Sequence, residues 1–115
     1  MIYLYDNPND LLKKMECGII LSDEETAFPT YMVDQIMAIT SARKWVILGG
    51  DILTNELQYT YDSWFYDVDP NISLYQNVFQ SVQKCKQYLK EYESTHGSDY
   101  LIAFTISSTY TNGIV

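Results

Sequence analysis

The sequence predicts an α+β fold: a small, mainly antiparallel three-stranded sheet packed against helices, with the elements in the order α-α-β-β-α-β. Apolar residues spaced 3-4-3-4-3 from Tyr75 to Tyr92 indicate an amphipathic helix. Strict alternation from Leu57 to Asp62 indicates a half-buried strand. The segment 100–106 is largely apolar on both faces, which is typical of a strand inside a sheet. The 115 residues fit one domain, residues 1–115.

Two helices are predicted ahead of the sheet. The first begins at Asn7-Pro8, because asparagine caps helix N-termini and proline suits the first helical position, and we expect it to end near Gly18. The second begins at Phe28-Pro29 and runs to about Ala42 on apolar residues three and four positions apart. Between them, Ser22–Thr26 is predicted to be a solvated acidic loop.

A β-hairpin and a long helix are predicted next. The first arm begins at Trp45–Leu48 and contains Gly49-Gly50, which indicates a bulge or a close backbone approach, and the second arm begins at Leu57. The helix is predicted to start with Asp69-Pro70 and to end at His96-Gly97. If the last strand inserts beside the first arm, the strand order is 2-1-3 and the sheet is wholly antiparallel, with helices on one face.

The charge distribution favours a basic partner. There are 15 acidic residues against 7 lysines and arginines, for a net charge of −8. Segments 15–42 and 45–83 each contain five acidic residues and no lysine or arginine. Such a chain is expected to repel nucleic acid and anionic lipid and to attract a basic protein. The alternative is that the acidity serves solubility alone.

No catalytic or metal site is visible in the sequence. The one histidine, His96, stands beside a helix-ending glycine, where we expect no third group to orient it for catalysis. Cys17 and Cys85 are far apart and are predicted to be buried thiols in a reducing compartment. Asp51 follows Gly49-Gly50 where a phosphate-binding loop requires lysine. We therefore predict no enzyme activity, no cofactor and no metal.

The chain shows no pattern of membrane insertion or export. Its start, Met1–Asp6, lacks a basic region followed by an apolar stretch. No apolar run approaches the roughly 20 residues that span a bilayer. These observations predict a cytoplasmic protein.

Aromatic and acidic residues are concentrated in one segment. Tyr59–Tyr66 carries five aromatic residues in eight positions. Tyrosine and tryptophan are enriched at interface hot spots, and carboxylates bond arginine and lysine. We therefore predict an acidic, aromatic protein-binding patch with the contact residues Asp51, Glu56, Tyr61, Asp62, Trp64, Tyr66 and Asp67. The alternative is a tyrosine-rich strand packed beneath the helices, and alternation predicts that one face is buried and the other available.

Three segments together resemble the immunity protein 40 family of bacterial polymorphic toxin and contact-dependent inhibition systems. They are Trp45–Leu53 with its Leu-Gly-Gly-Asp turn, the aromatic segment Tyr59–Tyr66, and the helical segment Ser81–Tyr92. The resemblance runs from about Trp45 to Phe104. It implies a cytosolic antidote that binds a cognate toxin domain and blocks it. The acidity fits a basic, nuclease-like toxin.

Two other functions stay open at this point. A small hydrolase would use carboxylates that converge in space, because any two acids can meet in the fold. A homo-oligomeric interaction module would use the aromatic strand as its own interface.

Overall fold

Residues 7–108, which the computed structural model describes, form three α-helices, one 3-10 turn and five β-strands. The helices are α1 (Pro8–Lys14), α2 (Val33–Arg43) and α3 (Leu74–His96), and the turn is Thr30–Met32. The strands are β1 (Ile19–Ser22), β2 (Glu25–Pro29), β3 (Val46–Leu53), β4 (Tyr59–Phe65) and β5 (Leu101–Ser107). The segment Met1–Asp6, on which the absence of a targeting signal was predicted, lies outside the described residues.

The strands form one sheet in the order β1-β2-β5-β3-β4, and each neighbouring pair is antiparallel. β5 lies between β2 and β3, so the last strand is interior as predicted. The order β4-β3-β5 is the predicted 2-1-3 arrangement. A register shift between Ile47 and Gly49 against β5 confirms the irregularity expected at the double glycine. The prediction of an antiparallel α+β fold is therefore confirmed, but the sheet has five strands and not three.

The two additional strands shorten the predicted acidic loop to the exposed turn Asp23-Glu24, and β2 replaces the start of the predicted second helix. Thr26, Ala27 and Phe28 are almost fully buried in β2, and Phe28 pairs with Ile102 of β5. The helix therefore begins at Val33, and the predicted start at Phe28-Pro29 is wrong. The physical reason is that pairing with β5, far later in the sequence, outweighs the local helical spacing of the apolar residues.

α3 begins later than predicted because a stronger cap lies downstream. Ser73 Oγ accepts a hydrogen bond from the Gln76 amide at 3.1 Å, and Gln76 Oε1 accepts one from the Ser73 amide at 3.1 Å. This reciprocal capping box satisfies two amide groups that the first turn leaves free, so the predicted start at Asp69-Pro70 is wrong. The predicted end at His96-Gly97 is confirmed, with Gly97 at a φ of 75°.

The main core lies between the helices and one face of the sheet. It contains Leu12 of α1, Ile36 and Met37 of α2, and Val82, Cys85 and Leu89 of α3, packed against Phe28, Ile47, Ile52, Ile102 and Phe104 of the strands. The apolar stripe of α3 therefore packs on the sheet as predicted, except that Tyr75 at its start is exposed. The opposite face of the sheet carries a smaller buried cluster formed by Ala27, Leu53, Leu101 and Ala103.

Gly50 lets the ring of Trp64 lie directly on β3. The two residues pair across β3 and β4. A Cβ atom at position 50 would lie 2.5 Å from Cη2 of Trp64, well inside van der Waals contact. The absence of a side chain at position 50 is therefore what makes room for the largest aromatic residue of β4.

We expect Gly50→Ala to lower the free energy of unfolding by about 1–3 kcal/mol, the usual cost of overpacking a core. Urea denaturation of the single variants and of the double variant with Trp64→Leu measures this effect. The smaller leucine removes the clash, so the two substitutions should be coupled. A coupling energy of zero would show that the ring of Trp64 does not limit the space at position 50.

The two cysteines lie in different surroundings. Cys85 is buried in the main core, as predicted, and burial raises the pKa of its thiol to about 12. Cys17 is exposed, so its predicted burial is wrong. The Cys17 sulfur accepts a hydrogen bond at 3.0 Å from the hydroxyl of Tyr31, which lies in the 3-10 turn. Cys17 follows the short helix α1 and has a φ of 67°, a conformation that local apolar spacing does not reveal.

We expect the free energy of unfolding to fall as the pH rises from about 9 towards 12, with part of that fall caused by Cys85. The unfolded chain releases the thiol proton near the ordinary pKa of 9.0, whereas the native protein holds it to about 12. The contribution is fully present below the unfolded pKa and is lost through this window. Chemical denaturation at several pH values should give a shallower slope for Cys85→Ala and an unchanged slope for the control Val82→Ala, which truncates a buried side chain of the same helix that carries no titratable group. Equal slopes in both variants would contradict this assignment.

Candidate protein-binding surface

A bulge in the edge strand β4 carries Tyr61 into solvent. The pairs Leu53–Tyr59 and Asp51–Ser63 enclose two residues more on β4 than on β3. Within this bulge Tyr61 has a φ of 69°, and its side chain is 93% exposed. A non-glycine residue in this left-handed region costs about 1–2 kcal/mol, so the surrounding structure must hold it there.

Three hydrogen bonds fix the bulge from both sides. Thr60 Oγ1 donates to the carbonyl of Ile52 at 2.8 Å and accepts from the amide of Asp62 at 3.1 Å. The hydroxyl of Tyr92, on α3, donates to Asp62 Oδ2 at 2.8 Å. Burial, together with the bond to Asp62, raises the pKa of Tyr92, so the hydroxyl keeps the proton that it donates. Asp62 is therefore half-buried and anchors β4 to α3.

Trp64 lies in the core, beneath the strand. It is 5% exposed, its ring stacks on Tyr88 of α3 at a centroid distance of 5.1 Å, and it meets Phe104 edge-on at 6.1 Å. Of the aromatic residues predicted as contacts, Trp64 is therefore buried beneath this surface, whereas Tyr61 is exposed on it. Along β4 the more buried residues alternate with exposed ones, which agrees with the expectation that one face is buried and the other is available.

Tyr66 joins the segment after β4 to the start of α3. Its hydroxyl donates to Asn77 Oδ1 at 2.7 Å, and the amide group of Asn77 donates to the carbonyls of Asp69 and Ser73 at 3.0 and 3.1 Å. Burial first, and then the charge of Asp69, raises the pKa of Tyr66. Asn77 is fully buried and was missed by the sequence analysis. The signal that could have revealed Asn77 is its position one turn after the capping residue Ser73, on the side of α3 that is buried.

A second acidic group lies on the sheet face opposite the helices. The hydroxyl of Tyr59 donates to Glu25, so the side chains of Tyr59 on β4 and Glu25 on β2 together reach across β3 and β5. That hydrogen bond, followed by burial and the charges of Glu25 and Asp51, raises the pKa of Tyr59 to about 12. Burial and then the charge of Glu25 raise the pKa of Asp51. Glu25 was missed because β2 was not predicted.

The remaining predicted contacts are exposed. Glu56 lies in the β3–β4 turn, and Asp67 follows β4. The structure thus brings the predicted residues to one edge of the sheet, on β3, β4 and the adjoining loops. Tyr61, Glu56 and Asp67 are open to solvent, and Asp51, Asp62 and Tyr66 are half-buried.

Asp51 and Glu25 are the neighbouring carboxylates, but neither lines the groove at the β3–β4 turn or the cavity between α2 and α3. Among residues 7–108, no three His, Cys, Asp or Glu side chains are placed to hold a metal ion. Within the same range, no helix combines the length and the apolar character that crossing a bilayer requires.

Fold and surface together define a small acidic α+β domain that presents a tyrosine and carboxylates on an edge strand. The family model of Immunity protein 40 matches residues 12–106, and the chain therefore belongs to the immunity protein 40 family. This match confirms the resemblance and extends it towards the N-terminus over the β1–β2 hairpin. Searches of the curated proteins and of the solved structures found no match.

We expect Tyr61→Gly to raise the free energy of unfolding by up to about 1 kcal/mol, because glycine adopts the left-handed conformation without strain. The matched control is Tyr31→Gly, since Tyr31 is also an exposed tyrosine but does not have a positive φ. The control should be destabilised by about 0.5–1 kcal/mol through the larger entropy of the unfolded chain. Equal destabilisation of both variants in thermal and urea denaturation would contradict the strain at Tyr61.

Proposed function

We propose that this member of the immunity protein family binds and neutralises a cognate bacterial toxin domain, and that it does so without catalysis. The family supports the immunity role. The binding surface is our assignment and consists of the acidic and aromatic residues around β4. Its members are Asp51, Glu56, Tyr61, Asp62, Tyr66 and Asp67. Trp64 is left out as a direct contact because it is buried, and its role is to hold β4 in place.

The presentation of Tyr61 is the observation that carries this proposal. A ring that is 93% exposed gains nothing in the core, and its left-handed backbone costs folding energy. Strain of this kind persists where function requires it. The three hydrogen bonds of the bulge hold the backbone on either side of Tyr61 in one conformation before binding, which reduces the entropy lost on association. Tyrosine is a typical hot-spot residue.

The charge around Tyr61 favours a basic toxin. Glu56 and Asp67 are exposed on either side of β4, and the chain as a whole carries a net charge of −8. A negative field accelerates association with a positive protein surface and weakens as salt is added. A nuclease-like toxin fits this chemistry, because its substrate is a polyanion and its binding surface is therefore positive. We propose that the partner is such a protein and that the chain itself binds neither nucleic acid nor membrane.

The setting that we propose is a bacterial polymorphic toxin system. An antidote of this kind acts in the cytoplasm, where an incoming or newly made toxin reaches its target. A cytoplasmic location also suits two unpaired cysteines, because thiols stay reduced there.

We expect Tyr61→Ala to weaken binding to the cognate toxin domain by about 30-fold or more, corresponding to about 2 kcal/mol at a hot spot. Isothermal titration calorimetry with a catalytically inactive toxin measures the affinity. Tyr31→Ala, in the 3-10 turn that follows β2, is the matched control and should bind like the wild type. Equal affinity of both variants would refute the β4 surface. Failure of the wild type to form a complex or to rescue growth would refute toxin binding itself.

The second candidate function is hydrolysis by the carboxylates of Asp51 and Glu25. It is favoured only by the raised pKa of Asp51, whose causes are burial and the charge of Glu25. Stoichiometry separates the two functions. A binding protein neutralises one toxin per copy, whereas an enzyme protects at substoichiometric amounts and loses this ability in Asp51→Asn.

Self-association through β4 is the third candidate. β4 pairs with β3 on one side only, so a second copy could add to its other edge. Light scattering at high protein concentration decides this: a monomer excludes the oligomeric module, and a dimer broken by Tyr61→Ala supports it.

A further inference from the structure

A groove lies between the β3–β4 turn and the junction of α3 with β5. Its volume is about 270 Å³, and Thr54, Asn55 and Glu56 line one side while Tyr92, His96 and Asp99 line the other. Pockets for small-molecule ligands usually measure roughly 300–1,000 Å³, so this groove suits a single side chain better than a free metabolite. Thr60, which also holds the bulge of Tyr61, lines the groove as well. The groove therefore adjoins the β4 surface.

Carboxylates stand on both rims of the groove. Glu56 lies on the turn, and Asp99 lies in the connection between α3 and β5. Asn55 donates a hydrogen bond to Asp99, which ties the two rims together. The described residues that line the groove include no lysine or arginine. The groove is thus a site of negative charge whose opposite sides are held at a fixed separation.

Stacked aromatic rings form the wall on the α3 side. The ring of His96 lies parallel to that of Tyr92, with centroids 4.1 Å apart and an interplanar angle of 12°. Tyr100 meets Tyr92 edge-on at 5.0 Å. This stack continues through Tyr88 to the buried Trp64, so the core fixes its position. Tyr88 and His96 cover the two faces of Tyr92, so the outer face of His96 is the open end of this stack. A guanidinium group stacks on flat rings of this kind and forms paired hydrogen bonds with carboxylates.

We propose that this groove receives an arginine side chain of the toxin. The inference rests on the proposed function and names the chemistry of the partner at one point of the same surface. The guanidinium group lies against the outer face of His96, at the end of the stack, and bonds the carboxylates of Glu56 and Asp99. Lysine fits less well, because its ammonium group is a strongly hydrated point charge that neither stacks nor bonds two carboxylates in one plane.

The first experiment uses single amino-acid probes and needs no toxin. The ¹⁵N-labelled protein is titrated by NMR with N-acetyl-arginine amide, with N-acetyl-lysine amide and with N-acetyl-citrulline amide, a neutral isostere of the arginine probe. We expect millimolar binding of the arginine probe only, because one side chain makes few contacts. The shifts should be localised at Thr60, His96 and Asp99. No localised shift would overturn the groove as a site, and equal shifts with the lysine probe would overturn its preference for guanidinium.

The second experiment tests the carboxylates. The double variant Glu56→Gln/Asp99→Asn should lose the localised response, while the side-chain amide introduced at position 99 can still accept the hydrogen bond from Asn55. The matched control Asp23→Asn/Asp34→Asn removes the same charge from the β1–β2 turn and from α2, and it should respond like the wild type. An unchanged response in the first variant, or an equal loss in both, would overturn the role of the two rims.

The third experiment places the groove in the complex. With inactive toxin, Glu56→Gln/Asp99→Asn should weaken binding by about 10-fold or more, and the control pair by less than about 2-fold at physiological salt. If the toxin binds but both double variants retain full affinity, the groove inference fails while the proposed function stands. If the toxin does not bind at all, the proposed function fails, and the arginine titration still decides whether the groove takes a guanidinium group.

Discussion

The arrangement of the β4 edge depends on the packing of Trp64 between β3 and α3. Its ring lies on Gly50 and stacks on Tyr88 at 5.1 Å. Because side chains alternate along a strand, burial of Trp64 turns Asp62 towards α3 and leaves Tyr61 on the solvent side. If the ring of Trp64 were exposed instead of buried, the buried and exposed faces of β4 would be exchanged. The core therefore determines which aromatic residues are open to a partner.

Tyrosines provide hydrogen-bond donors for acidic side chains in a chain that is short of bases. Three tyrosine hydroxyls donate to carboxylates, in the pairs Tyr59–Glu25, Tyr92–Asp62 and Tyr100–Glu93. A hydroxyl satisfies an oxygen of the carboxylate without cancelling its charge, unlike lysine or arginine. Each acid is thus held in place while its negative field is kept. This combination suits a binding surface that must attract a cation and be ordered in advance.

The sequence analysis succeeded where the signals are local and periodic. The stripe of α3, its end at His96-Gly97 and the β3–β4 hairpin all follow from spacing and from turn residues within a short window. It failed for β1 and β2, which have four and five residues and whose burial comes from pairing with β5. It also placed Trp64 among the contacts, because aromatic content does not state which face of a strand is covered. The strain at Tyr61 was invisible for a similar reason, since nothing in the local residues demands a left-handed tyrosine.

The sequence by itself determined the class of fold and the acidity, because composition and periodicity record which faces are buried and which are charged. The family resemblance came from the motifs of three segments, Trp45–Leu53, Tyr59–Tyr66 and Ser81–Tyr92. Only the tertiary structure decided which side chains meet. The bond of Tyr59 to Glu25, the bond of Tyr92 to Asp62 and the groove between Glu56 and Asp99 all join residues far apart in the chain. Such contacts arise when packing brings separate elements together, and no local pattern encodes their distances.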